Sequence, residues 1–393
     1  MSRGVLVVGG GVAGAATALA LRGDGAEVIL VERETPGARA TGASAGMLAP
    51  QYEAEWPEPV FRLGLRSRQL HPRFVERVAD LASVELAIRT PGMLVPAFDR
   101  HEARRLEDRA RWQREEGLRA ELLDPDEARR RQPGAGREAV RFLWLPDEAV
   151  LDAQRLARAL PAALASAGVR TLRAEASALV TGEGRVRGVE LARGRTLEAG
   201  RVVLAAGAWS GALEGLPRPL PVEPVRGQML RYPPGTVELG CIVANLGGRY
   251  LVPREDGSVL AGSTMEAAGF DASATETGAR AVRRAAERML PGLEGVDPVE
   301  RWAGLRPGTP DEMPILGSDP EKEGLVYATG FGRNGILLGP AAGRVAADLA
   351  LGREPGLDLS PFRPDRFGGD VARPPEPVPG GGRGRGEGAG PGG

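Results

Sequence analysis

The stretch Val5-Leu6-Val7-Val8-Gly9-Gly10-Gly11-Val12-Ala13-Gly14, with Glu32 downstream of it, constrains this chain more than any other part. It reads as a short apolar strand, a glycine turn, a small-residue helix, a second strand from Ala26 to Val31 and an acid at its end. Each part has a physical task. Gly9 permits the tight turn, Gly11 lets a pyrophosphate approach the backbone, and Gly14 lets helix and strand pack closely. The helix N-terminus offers free N–H groups and the positive end of a dipole to phosphates. Glu32 stands where ribose hydroxyls can donate to it. The pattern points to a dinucleotide. It does not say which one, or what chemistry follows, and a glycine-rich turn in some other βαβ unit is the bland alternative.

What is scarce narrows the chemistry. The single cysteine, Cys241, excludes an internal disulfide and a thiolate metal cluster. The only histidines are His71 and His101, both in arginine-rich segments. A histidine triad or a multi-histidine metal site is not expected, and no metal is expected. The reaction is then work for a cofactor rather than for side-chain acids and nucleophiles. A net charge of −1 gives no field to draw in nucleic acid. No apolar run reaches the roughly 18 residues of a membrane span, and no signal peptide is apparent, so the cytoplasm is expected. Lys322 is the only lysine, so with arginine this abundant any one arginine needs local evidence before it is given a role.

Along the chain, strand–helix units of the parallel type occur at the start, around Val202–Ser210, and at Leu325–Thr329 with the helix Asn334–Leu351. Strand candidates at 168–191, 228–232, 248–253 and 258–262 lie between, with helices expected over 57–82, 99–117, 125–132, 153–167 and 273–290. The expected fold is α/β. A Rossmann-like nucleotide-binding domain is assembled from 1–85, 150–220 and 300–367, and an inserted substrate domain of antiparallel sheet and helices is built from 86–149 and 221–299. The Gly/Pro/Arg tail, 368–393, has too few apolar residues to bury and is expected to be disordered.

Several blocks resemble the D-amino-acid oxidase superfamily of flavoproteins, and within it most closely the glycine oxidases of thiamine biosynthesis. They are Gly9–Gly14, Thr41–Leu48, Val202–Gly211, Arg249–Arg254, Arg301–Asp311 and Ala328–Leu338, in the family's order. The resemblance implies a D-amino-acid oxidase type fold and non-covalent FAD, since Cys241 lies outside the C-terminal flavin block. It implies cofactor contacts from Gly9, Gly11, Val12, Ala13, Gly14, Glu32 and Arg33. Further contacts are implied for Thr41, Ala43, Ser44, Gly46 and Met47, for Ala176, Ala206, Gly207 and Trp209, and for Arg306, Gly332, Arg333, Asn334, Gly335, Ile336 and Leu337. The helix start at Gly332–Ile336 can point N–H groups at the flavin edge that becomes negative on reduction.

Arg306, Arg333 and Tyr250 are the expected catalytic site. Arginine offers a carboxylate two planar donors, and a tyrosine hydroxyl can donate to the same oxygen. In the family, the positions matching Arg306 and Tyr250 bind the carboxylate, and that matching Arg333 lies beside the flavin. Buried ion pairing, for example with Asp311 or Glu312, is the structural alternative. The implied activity is oxidation of glycine or a small amino acid by hydride transfer to the flavin, with O2 as acceptor. Glyoxylate, ammonia and hydrogen peroxide would be the products. A homo-oligomer and a functional link to a thiazole synthase are also implied. Two departures stand out: Phe331 where many glycine oxidases have histidine, and Gly247-Gly248-Arg249 before Tyr250. The competing readings are a sarcosine, D-proline or D-amino-acid enzyme of the same superfamily, and a flavin subunit that passes electrons to a partner.

Overall fold

The computed structural model describes residues 4–368; the tail expected to be disordered lies, from 369 onward, outside them. Two large sheets organise the chain. The first runs in the order Ile315–Ser318, Leu325–Thr329, Val202–Leu204, Gly4–Val8, Glu27–Glu32, Arg170–Arg173. Every neighbouring pair is parallel except the outermost, Ile315–Ser318 with Leu325–Thr329. Its central strands are buried on both faces, which is why they read as unbroken apolar runs.

Two helices built from small residues cover one face together. The first, Val12–Gly23, packs against the last α-helix, Gly335–Ala350. A Cβ on Gly339 would stand 2.8 Å from Val12 Cγ2, so the crossing is as close as backbone allows. Gly14 serves the opposite contact: a Cβ there would run into the Gly9 carbonyl. The glycine motif thus fixes the helix against the strand before any ligand is considered.

The second sheet has nine strands. It runs from Glu266–Ala267 through Glu223–Tyr232, Val259–Gly262, Tyr250–Pro253, Ile242–Ala244, Met93–Ala97 and Arg141–Leu145 to Glu121–Leu123. The ninth strand, Glu300–Gly308, pairs antiparallel with Glu223–Tyr232 along its length. Two features depart from the sequence reading. One pair, Ile242–Ala244 with Met93–Ala97, is parallel, because it joins strands from two separate stretches of chain. And Glu300–Gly308, expected to belong with the nucleotide-binding segments, is a strand of this second sheet.

Two small sheets complete the β structure of the described residues: Ala176–Gly182 with Arg185–Leu191 and Thr196–Glu198, and Met47–Leu48 with Ala149–Leu151 and Ile88–Arg89. The helix Pro59–Ala82 lies over the last α-helix. None of the described helices is long and apolar enough to cross a membrane.

Candidate active site

Two cavities meet at the seam between the large sheets. One, of about 830 Å³, is lined by the first glycine turn, by Glu32, Arg33, Ala176 and Ala206, and by Trp209. The other, of about 1040 Å³, is lined by Val12, Ala13, Ala43, Ser44, Met47, Tyr250, Arg306 and the Gly332–Ile336 turn. Gly11, Ala40, Thr41, Ala205 and Gly207 line both, so the two form one continuous groove. An elongated ligand with a narrow waist at Gly11 fits that shape.

The waist has the chemistry of a pyrophosphate site. The space beside Gly11 is open: a Cβ there would meet only the Thr41 hydroxyl, at 3.6 Å. Val12 N–H, at the start of the first helix, donates to Thr41 Oγ1 at 3.0 Å. Glu32 accepts from Gly10 N–H at 2.7 Å through one oxygen and from Glu34 N–H at 2.9 Å through the other. Each carboxylate oxygen keeps a second lone pair, so Glu32 braces the glycine turn and can still receive a ribose hydroxyl. At the far end Arg33 lies over the Trp209 ring, 3.8 Å from its centroid, and Phe270 stacks on that ring at 5.4 Å.

The other end is built to hold negative charge. The last α-helix opens on the larger cavity through Asn334, Gly335 and Ile336, and no side chain caps its N-terminus. Its first turn is held from behind by the helix Pro59–Ala82. Pro340 has no N–H to give the Ile336 carbonyl. His71 bonds the Leu337 carbonyl at 3.0 Å, and the Ser67 hydroxyl accepts from Ala341 N–H at 3.1 Å. An acid at one end, a backbone gap at the waist and an uncapped helix start at the other suit a flavin dinucleotide.

Arg306, on Glu300–Gly308, and Tyr250, on Tyr250–Pro253, reach the larger cavity from two strands of the second sheet that Glu223–Tyr232 and Val259–Gly262 separate. Arg306 donates to the Thr264 carbonyl at 3.0 Å and to the Ser263 hydroxyl at 2.5 Å. Both partners are neutral, so its charge is available to a ligand. Burial lowers its pKa, the Tyr250 phenol opposes that, and the Arg333 charge adds to it; a guanidinium remains charged regardless. Glycine makes the room: a Cβ on Gly227 would collide with the Arg306 guanidinium, and one on Gly262 would stand 2.8 Å from the Tyr250 ring. Tyr250 is buried, with its hydroxyl 3.3 Å from Met229 Sδ.

Arg333 is ion-paired, but with neither of the acids expected. Its Nε lies 2.9 Å from Glu53 Oε2, and its guanidinium also donates to the Gly248 carbonyl at 3.3 Å. Asp311 instead pairs with Arg366 at 2.8 Å. Burial disfavours the Arg333 charge, yet Glu53, with Tyr52 and Tyr250, holds its pKa above the ordinary value. Glu53 ends the short helix Pro50–Glu53, which is anchored by the fully buried Glu148. One oxygen of Glu148 accepts from Gln51 N–H at 2.8 Å and from Tyr52 N–H at 3.1 Å.

Of the residues expected to contact a cofactor, three do not line the groove. Gly14 is spent on helix–strand packing. Gly46 receives Leu151 N–H on its carbonyl, and a Cβ there would strike the Leu151 carbonyl. The Leu337 side chain is buried in the core of the first sheet. Among the cavity-facing residues that the sequence reading did not single out are Glu53, Met229, Ser263 and Gly227. Glu53 sits just past the Gly46-Met47-Leu48 block, so extending that block would have reached it. The others carry no local signal.

Comparison with known proteins agrees with this geometry. The family model described as FAD dependent oxidoreductase (DAO) matches residues 4–349. A glycine oxidase of Pseudomonas aeruginosa is 37% identical over 368 residues, covering 93% of this chain and 99% of that protein. The bifunctional protein ThiO/ThiG of Trichormus variabilis is 37% identical over 372 residues, 93% of this chain and 55% of that longer protein. The crystal structure of glycine oxidase from Geobacillus kaustophilus superposes with a TM-score of 0.88 at 32% identity, over 92% of this chain and 98% of that one.

Proposed function

The chain belongs to the FAD dependent oxidoreductase (DAO) family, and from that premise we propose that it oxidises glycine, with O2 as the electron acceptor. The observation that carries this reading is Arg306, bonded only to neutral groups and set beside Tyr250 in the larger cavity. That pair forms a carboxylate receptor within the cavity onto which the uncapped helix opens.

When bound, FAD would supply the acceptor for a hydride from the substrate Cα and the route by which two electrons reach O2, with hydrogen peroxide as product. The protein's part is positioning. Arg306 presents two planar donors to the carboxylate, and Tyr250 offers a third. Met47 and Met229 give the small Cα an apolar wall. The uncapped helix start at Gly335–Ile336 would face negative charge developing on the bound cofactor. None of the lining residues is a histidine, and none is needed as a base if the amine is neutral when the C–H bond breaks. Water then converts the imine to glyoxylate and ammonia. Glycine, O2 and water yield glyoxylate, ammonia and hydrogen peroxide.

The same proposal assigns the first sheet and its helices to FAD and the second sheet to the substrate. It includes non-covalent FAD, because the Cys241 thiol is buried away from the groove, where burial pushes its pKa up to about 12. It also includes a cytoplasmic setting, a homo-oligomer, and delivery of the product to thiazole formation for thiamine. The fusion of a similar chain in the ThiO/ThiG protein supports the last point. The test is an aerobic assay of the FAD-loaded protein with glycine, sarcosine, D-proline and D-alanine. Peroxide and glyoxylate should form from glycine with the highest kcat/KM. Peroxide from D-alanine or D-proline but not from glycine would move the protein to a sister activity.

A further inference from the structure

The larger cavity has three ionised residues in its lining: Arg306, Arg333 and Glu53. Glu53 is its one acid among the described residues, and it is held 2.9 Å from Arg333 with its side chain 12% exposed. Arg306 and Tyr250 are already matched to the one carboxylate of the proposed substrate. Arg333 is therefore a second anion receptor in the same cavity whose charge Glu53 cancels. The formal balance is one net positive charge, which a single substrate carboxylate neutralises.

Resting on the glycine-oxidising reading above, we propose that Glu53 is a specificity-determining residue that restricts the pocket to substrates with a single anionic group. Without its charge, Arg333 would accept a second carboxylate. The substrates then admitted are imino-diacids, that is, glycines whose nitrogen carries a second carboxymethyl group. Their oxidation uses the same chemistry: one C–H leaves as hydride, the C=N bond that forms is hydrolysed, and O2 is reduced. Iminodiacetate, O2 and water yield glyoxylate, glycine and hydrogen peroxide. Two features of the structure favour a charge role over a merely structural one. The backbone around Glu53 is fixed independently, by Glu148 from behind. And Arg333 has a second anchor in the Gly248 carbonyl, so it stays in place when Glu53 is neutral.

The experiment compares wild type with Glu53→Gln, which keeps a hydrogen-bond acceptor for Arg333 and removes the charge, and with Glu53→Gln/Arg333→Gln. Glu53→Ala replaces the single variant if Glu53→Gln does not retain FAD. The ratio of kcat/KM for iminodiacetate to that for glycine should rise about tenfold or more in the charge-removed variant, chiefly through KM. It should fall back in the double variant. Binding of malonate against acetate to the oxidised holoprotein, read from the flavin absorbance, should shift the same way and needs no turnover. An unchanged ratio in FAD-loaded, folded Glu53→Gln, with unchanged malonate preference, overturns the inference. Loss of glycine turnover in the wild type would instead overturn the functional reading, and the malonate titration would still judge Glu53.

Discussion

His71 bonds the Leu337 carbonyl across 3.0 Å, next to the Ile336 carbonyl for which Pro340 has no N–H. Both the histidine and its neighbour Ser67, one helical turn earlier, are fully buried. The carbonyl can only accept, so Nε2 carries the proton. Nδ1 has no hydrogen-bond partner among the described residues, so a second proton would have nowhere to bond. Burial therefore pushes the His71 pKa down to about 4, against the partial opposition of the backbone carbonyls.

That shift predicts acid sensitivity. The unfolded chain takes up the proton first, so the contribution of neutral His71 is complete above about pH 6.5 and is lost between there and about pH 4. The shift corresponds to about 3 kcal/mol. His71→Gln can still donate to Leu337 and does not titrate. Urea midpoints of the variant should fall less steeply than those of wild type between pH 6.5 and 4.

Glu148 predicts the opposite slope. Burial, eased by Arg68 and by the two N–H donors, pushes its carboxyl up to about 8. The folded chain then holds a proton that the unfolded chain has released, so this contribution is present below about pH 4.5 and is lost as pH rises to about 8. Glu148→Gln should be more stable than wild type at pH 8.5 and show a flatter profile between pH 5 and 8.5, again by urea midpoints.

Two glycines of the first turn should separate folding from cofactor binding. Gly14→Ala puts a methyl into the Gly9 carbonyl and should cost about 3 kcal/mol. The Cβ of Gly11→Val meets no protein atom closer than the Thr41 hydroxyl, at 3.6 Å, and its methyls are directed into the groove's open waist in this reading. The substitution should leave the apoprotein's melting temperature nearly unchanged while abolishing measurable FAD binding in a fluorescence titration.

These contrasts also mark what could be read from the chain. The strand–turn–helix at residues 4–23, the strand at Leu325–Thr329 and the glycine-rich last helix were legible because each function left a local pattern. The strand Glu300–Gly308 was not, because Pro307 and two glycines obscure its alternation. It pairs with Glu223–Tyr232 alone among the described strands, so an edge position tolerates Pro307. Arg306 was found through its motif, but Gly227, which makes space for it, carries no signal of its own. The Glu53–Arg333 pair joins residues far apart in sequence, and only the fold brings them together. Gly46 and Leu337 lie outside the groove's lining, and a glycine or leucine in such a block can serve the scaffold as readily as a ligand.

Arg306 should prove specific to the substrate. Arg306→Leu removes the charge-assisted donors and should lower kcat/KM for glycine about 100-fold or more, while FAD affinity changes little. Arg306→Lys should recover only part of the loss, because a point charge cannot reproduce the two-donor geometry. Steady-state kinetics alongside an FAD titration of each variant separates the two effects.

Anaerobic titration of the FAD-loaded protein with glycine tests the account most directly. Glycine should bleach the oxidised flavin absorbance to completion without air, and admitting O2 should restore the colour with release of peroxide. A fully loaded protein whose flavin stays oxidised at saturating glycine would contradict the assignment of Arg306 and Tyr250 as a glycine carboxylate receptor.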